Sequence, residues 1–257
     1  MQNLTVGLVQ ANQIWEDKNA NFENYLRLIQ NTEGIDLLVL PEMFSTGFSM
    51  QPEKLAEPFF TSESITWLRN LASKQNCAVT TSLIIEENKK YFNRMVFIEP
   101  NGILKSYDKR QLFTLAKEDK HYTAGNTTQI IDYKGWKLNL QVCYDLRFPE
   151  NCRNNVENER FNYDVLIYVA NWPAKRKEHW KTLLKARAIE NQSYLIGVNR
   201  VGIDGKGFEY SGDSALINPL GEIISTSNRE ELIRTTLVAS ELKEIRETIP
   251  FLKDRTL

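Results

Sequence analysis

Three short apolar runs in this chain stop abruptly at polar or reactive residues, and no other feature restricts its fold as much. Leu37-Leu-Val-Leu40 runs into Pro41-Glu42, Asn139-Leu-Gln-Val142 into Cys143-Tyr-Asp-Leu-Arg147, and the stretch 165–170 into Asn171-Trp172-Pro173. The first reads as a strand apolar on both faces and the third as another buried strand, which requires layers above and below the sheet, while Leu138, Leu140 and Val142 alternate as a strand. Between them lie helical periods: 17–32, with Phe22, Tyr25, Leu26 and Ile29 on one face, then 64–74, and 175–192, with Trp180, Leu183, Leu184 and Ala188 on one face. Further strands read at 4–10, 78–85, 91–99, 103–107, 194–199, 214–217 and 223–225. Strand and helix alternate from end to end, the α/β signature, and the hairpin-like series at 78–107 makes the sheet mixed.

No linker, repeat or low-complexity tract divides the 257 residues, and 42% hydrophobic composition over that length supports one large core. The expectation is a single domain over 1–257. Its last helix at 241–248 and the tail to 257 are polar enough to lie outside that core, where such a tail packs on a partner subunit. With 32 basic against 33 acidic residues the net charge is -1, so no surplus exists to hold nucleic acid or an anionic membrane surface. The first ten residues lack a signal-peptide pattern, and no apolar run approaches the roughly 18 residues of a membrane span. Three cysteines, Cys77, Cys143 and Cys152, make an odd count suited to a reducing compartment, and a cytoplasmic protein is expected. His121 and His179 stand far apart outside any ligand spacing, so no metal and no cofactor is expected.

In α/β sheets, sites assemble at the carboxyl ends of strands. Glu42 and Cys143 follow such ends directly, and the strand at 103–107 leads into Asp108-Lys109-Arg110, so a carboxylate, a thiol and an ammonium can share one rim. A thiol near pKa about 8.5 needs help to ionise: the carboxylate takes its proton and the ammonium eases the thiolate. After attack on an amide carbonyl, Lys109 and the Tyr144 N–H can hold the oxyanion, donors worth ~3 kcal/mol each. Taken one at a time these residues have ordinary packing or surface roles. Trp172, beside Asn171 and Pro173, reads equally as core or as the wall of a small-molecule pocket. Cys77 is read as structural at the start of a strand and Cys152 as lying in a charged helix, while Gly202-Ile-Asp-Gly-Lys-Gly207 reads as a hairpin turn.

The segments Leu40-Pro-Glu-Met-Phe44, Tyr107-Asp-Lys-Arg-Gln-Leu-Phe113 and Gln141-Val-Cys-Tyr-Asp-Leu-Arg-Phe-Pro-Glu150 resemble, in order, the three signature blocks of the carbon-nitrogen hydrolase (nitrilase) superfamily. Further similarity at Asn171-Trp-Pro173, 186–194, Asn199-Arg-Val-Gly202 and 212–222 spans essentially the whole chain. The resemblance implies a four-layer α-β-β-α sandwich of two mixed sheets. It makes Glu42 the general base, Lys109 the cationic stabiliser and Cys143 the nucleophile, and places Glu118 as a second glutamate that positions substrate and water. Cys143-Tyr-Asp145, where nitrile-cleaving members read Cys-Trp-Glu, favours an amidase. The pattern looks most like the bacterial omega-amidase branch, which acts on 2-oxo acid monoamides such as 2-oxoglutaramate and 2-oxosuccinamate. Arg147 and Arg176 are the charged candidates for the substrate's carboxylate, and a homodimer is implied. An amidase for N-carbamoyl amino acids, deaminated glutathione or simple aliphatic amides, or a catalytically silent scaffold, would look alike at this level.

Overall fold

The computed structural model describes residues 1–30, 33–158 and 160–255. Two mixed sheets form its centre. In the first, the parallel strands Leu4–Gln10, Leu37–Val39 and Ala78–Glu87 lie side by side, with Lys90–Ile98 and Leu104–Asp108 continuing antiparallel on one side and Glu231–Leu237 antiparallel on the other. The second repeats the plan: Trp136–Val142, Val165–Ala170 and Tyr194–Asn199 are parallel, flanked antiparallel by Ile130–Tyr133 and by Ser214–Ile217 with Ile223–Ser227.

Strand periodicity sorts the side chains into layers. Leu37 and Val39 face the second sheet together with Leu4, Val6, Leu8, Met95 and Phe97. Leu38 and Leu40 point the other way and pack with Val9, Val96 and Ile98 under the helices Lys18–Leu28 and Glu63–Gln75, through Phe22, Tyr25, Ile65 and Leu68. The helix Lys177–Asn191 covers the second sheet with Trp180, Leu184 and Ala188. The result is the expected α-β-β-α sandwich.

Element ends follow capping. Asp17 caps its helix by accepting from the Ala20 N–H, so the helix begins one residue beyond the expected 17, and it closes at Leu28; position 32 lies outside the described residues. The 175–192 period starts as a single 3₁₀ turn at Ala174–Arg176 and becomes α-helical only from Lys177.

Two expectations are corrected. The final helix, Ala239–Thr248, is not outside the core: Leu242 is fully buried, Ile245 is buried, and Arg246 pairs with Asp164 and donates to the Tyr163 carbonyl, while Leu252 in the turn Phe251–Asp254 beyond it is buried as well. Its few apolar residues fall on one face, and that face is occupied by its own chain; residues 256–257 lie outside the described ones. Cys152 lies in no long helix but just after the single turn Pro149–Asn151. Asn154 takes the chain away from helix there, donating to the Tyr163 and Asn191 carbonyls. All three cysteines are free and buried.

Candidate active site

The parallel strands of both sheets bring their carboxyl ends to one place. Glu42 leaves the turn after Leu37–Val39, Lys109 follows Leu104–Asp108, Cys143 follows Trp136–Val142 and Asn171 follows Val165–Ala170. Lys109 Nζ lies 2.9 Å from Glu42 Oε1 and 3.0 Å from each oxygen of Glu118, and all three side chains are fully enclosed. Buried charges persist only when paired and hydrogen-bonded, and here every one is. Glu42 also accepts from Asn93 Nδ2 (2.7 Å) and from the Asn171 N–H (2.8 Å). Glu118 accepts from the Phe113 N–H at 2.6 Å.

The loop carrying Glu118 is drawn against the strand end by the Gly125 N–H, which donates to the Lys109 carbonyl. A Cβ on Gly125 would stand 2.2 Å from the Asp108 carbonyl oxygen, so only glycine permits that approach. Glu118, the second glutamate of the resemblance, thus stands beside Lys109.

Cys143 sits at φ +44, a left-handed conformation rare for a residue with a Cβ, at the head of the 3₁₀ turn Cys143–Arg147. The Asp145 side chain fixes this turn by accepting from the Val142 N–H, the Gln111 N–H and the Tyr107 hydroxyl. Tyr144 occupies the first turn, where main-chain N–H groups have no intrahelical acceptor. Burial, reinforced by the Glu42 carboxylate, pushes the Cys143 thiol well above its usual value despite the opposing charge of Lys109. The thiol therefore rests neutral. Lys109 does lower the cost of the thiolate, but desolvation and a carboxylate outweigh it. Burial and the neighbouring carboxylates act oppositely on Lys109, and the carboxylates win, so its ammonium is held charged; Glu118 is raised by burial.

Cys143 and Lys109 open onto a cavity of about 330 Å³. Trp172, 3% exposed, lines it and also belongs to the core, tilted against Trp180 and donating Nε1–H to the Arg176 carbonyl. Tyr144, Arg147 and Arg176 all line the same cavity, as do Phe48 and Phe113. Sequence reasoning missed Asn93, an asparagine inside a strand whose only signal was a polar residue among apolar ones, and the bracing pair Tyr107 and Asp145. Asn171 was quoted as a motif but not given a role. Glu150 is exposed and does not reach the cavity. Among the described residues no group of three His, Cys, Asp or Glu side chains could hold a metal ion, and no helix is long and apolar enough to cross a membrane. The 201–211 region forms the expected hairpin, Val201–Ile203 pairing with Glu209–Ser211.

The carbon-nitrogen hydrolase family model matches residues 5–248. The chain belongs to the carbon-nitrogen hydrolase family. Members hydrolyse carbon-nitrogen bonds, and the enclosed carboxylate, ammonium and thiol lie where this enzyme's sequence motifs put them. The hydrolase is 42% identical over 256 residues to omega-amidase YafV of Escherichia coli (strain K12), covering 99% of this chain and 97% of that protein. It is 34% identical to the 2-oxoglutaramate amidase of Bacillus subtilis (strain 168), covering 85% and 84% of the two chains. In structure it is similar to a CN-hydrolase superfamily protein from Xanthomonas campestris that carries an arsenic adduct in its active site. That likeness has a TM-score of 0.97 at 40% identity and covers 100% of this chain and 98% of that one.

Proposed function

We propose that this hydrolase is a thiol-dependent omega-amidase, cleaving the terminal amide of 2-oxo acid monoamides such as 2-oxoglutaramate and 2-oxosuccinamate to the 2-oxo dicarboxylate and ammonia. The observation that carries the reading is the enclosed Glu42, Lys109, Glu118 and Cys143 cluster at the floor of a cavity whose free charges are cationic. The names of its relatives supply the substrate class.

Because the thiol rests neutral, its proton leaves as the sulfur attacks. Cys143 Sγ bonds to the amide carbon while Glu42 takes the thiol proton, and the carbonyl electron pair moves onto oxygen. Lys109 Nζ and the Tyr144 N–H stabilise that oxyanion. Collapse restores the carbonyl and breaks the C–N bond, Glu42 gives its proton to nitrogen, and ammonia leaves a thioester. A water oriented by Glu42 and Glu118 then attacks, passes a proton to Glu42, and the C–S bond breaks as Cys143 regains its proton. Trp172 walls the substrate.

The test is ammonia release from 2-oxoglutaramate, 2-oxosuccinamate, glutamine, asparagine, an N-carbamoyl amino acid, an aliphatic amide and a nitrile, with Cys143→Ala as blank. Cys143-dependent preference for the 2-oxo amides is the expected result. Activity confined to another amide keeps the mechanism and replaces the substrate, and silence on every compound defeats the reading. We also place the enzyme in the cytoplasm as a homodimer. Three free thiols suit a reducing compartment, and the exposed Ile189, Leu220, Ile223 and Ile224 offer an apolar surface to a second copy. A monomer mass by light scattering rejects the dimer.

A further inference from the structure

Asn93 ties the charged members of the site to one strand. In the antiparallel ladder between Lys90–Ile98 and Leu104–Asp108, Arg94 lies opposite Asp108 and pairs with it, and beyond that rung the Lys109 N–H donates to the Asn93 carbonyl at 3.0 Å. The Tyr91 carbonyl of the same strand accepts from the Thr123 N–H and anchors the loop that carries Glu118. Side chains alternate along a strand, so Arg94 leaves toward Asp108 and Glu87 while Asn93, 1% exposed, turns inward. There its Nδ2 donates to Glu42 Oε1 at 2.7 Å and to Glu118 Oε1 at 3.3 Å. Its Oδ1 has no hydrogen-bond partner among the described residues, so the two donor contacts alone orient the amide. The reverse orientation sets an oxygen against two carboxylates.

Lys109 Nζ carries three N–H groups, and its contacts are Glu42 Oε1 and both oxygens of Glu118. All three are committed to carboxylates, yet the oxyanion of an attacked amide needs one of them. Withdrawing it leaves two enclosed carboxylates short of donors, and such a pair relieves the repulsion by sharing one proton. A Glu42 that already holds a proton cannot take another from the thiol. Asn93 donates to the same two Oε1 atoms that Lys109 touches, one N–H for each acid, and so replaces the donor that Lys109 turns away. The Asn171 N–H, which donates to Glu42 Oε2, also faces the Cys143 sulfur, so Oε2 is the oxygen on the thiol side.

We propose that Asn93 is a positioning residue that keeps Glu42 and Glu118 separately ionised, so that Lys109 is free to turn one N–H onto the oxyanion while Glu42 Oε2 takes the thiol proton. The other groups facing the two acids do not supply this. Tyr122, pushed up by burial and by Glu118, stays neutral and gives its O–H to the Ser49 carbonyl. The Cys143 thiol rests neutral, and Asp145 is engaged by the Val142 and Gln111 N–H groups and the Tyr107 hydroxyl. The Asn171 and Phe113 N–H groups serve one acid each. Among the described residues only Lys109 and Asn93 donate to both. Asn93 is not part of the cavity lining, so it acts through the acids and not on the substrate. The inference rests on the thiol chemistry of the proposed function, not on which amide is cleaved.

Wild type is compared with Asn93→Leu, which keeps the size and removes both donors, and Asn93→Ser, which keeps one. Two rates are followed against pH: hydrolysis of 2-oxoglutaramate, and alkylation of Cys143 by iodoacetamide with Cys143→Ala as blank. In alkylation the sulfur bonds to the methylene carbon, iodide leaves and Glu42 takes the thiol proton, so this readout needs no particular amide and forms no oxyanion. In Asn93→Leu the acid limb of both profiles is expected to move up by roughly one pH unit, since a lost donor favours the protonated carboxyl. Above that limb kcat stays roughly 10- to 100-fold below wild type with KM within about threefold, while alkylation recovers to within about threefold. Asn93→Ser falls between, and it carries the test if the Leu variant does not fold. An acid limb of alkylation that stays in place in the folded variants overturns the proposal, because a merely structural asparagine does not move it. Alkylation slowed above the limb as much as hydrolysis overturns the release of Lys109 to the oxyanion. If wild type is silent on 2-oxoglutaramate, that substrate reading fails, and the alkylation limb alone decides Asn93.

Discussion

Asn171 holds Glu42 at both ends: its N–H donates to Glu42 Oε2 at 2.8 Å, and its side-chain Nδ2 donates to the Glu42 carbonyl at 2.6 Å. The two residues come from different sheets, so this double contact fixes the proposed base against the strand end beside the one that carries the thiol. Asn171 acts on the reaction through Glu42, as a positioning residue. Asn171→Ala removes the side-chain donor and leaves the buried Glu42 carbonyl with Gln13 Nε2, 2.9 Å away, as its remaining donor, a loss of about 1 kcal/mol. The expected outcome is a kcat lowered roughly 10- to 100-fold with KM changed less than threefold, and a lower melting temperature. A variant with reduced stability and full kcat would show that the contact only supports the fold.

Glu118 and Glu42 share one ammonium, and the proposed chemistry uses Glu118 chiefly when water enters. Glu118→Gln therefore spares the first half-reaction more than the second. Rapid-quench measurement should show a burst of up to one equivalent of ammonia per Cys143, followed by turnover slowed by about 10²-fold or more. Slow ammonia release without a burst would place Glu118 in acylation.

Asp145 is the buried carboxylate that ties the 3₁₀ turn of Cys143 to Tyr107 and Gln111, and burial pushes it up to about 6 although its hydrogen bonds oppose the shift. A folded value above the unfolded one means that the native state holds the proton more tightly. The associated stability is complete below the unfolded value near about 3.9 and is lost as pH rises through about 6. Relative to Asp145→Asn, wild type should lose roughly 2–3 kcal/mol between pH ~4 and ~7. Urea unfolding of both proteins across that range checks it, and a difference that does not change with pH would contradict the assignment.

The left-handed backbone at Cys143 makes glycine the least strained residue there. Outside such a conformation glycine is less stable than alanine by about 0.5–1 kcal/mol, whereas here relief of roughly 1 kcal/mol of strain reverses the order. Cys143→Gly should melt at or above Cys143→Ala, with neither releasing ammonia. Either variant turning over substrate at the wild-type rate removes Cys143 as the nucleophile.

Much of this was legible in the amino-acid sequence. Uninterrupted apolar runs such as Leu37-Leu-Val-Leu40 determine that strands are covered on both faces, and an abrupt change to Glu42, Cys143 or Asn171 marks where each strand stops. Local pattern suffices there, because burial of a strand is a property of its own side chains. The polar-looking C-terminal helix misled for the converse reason: its burial depends on what the rest of the chain leaves uncovered, and Leu242 and Arg246 find partners in distant segments. Only the tertiary structure decided how the chemistry is arranged. Enclosing one ammonium between two carboxylates, choosing Asn93 and Asn171 to hold Glu42, and keeping the thiol neutral all follow from distances between residues far apart in the chain. Charge interaction and desolvation depend on those distances and on the exclusion of water, neither of which is encoded in any single stretch of sequence.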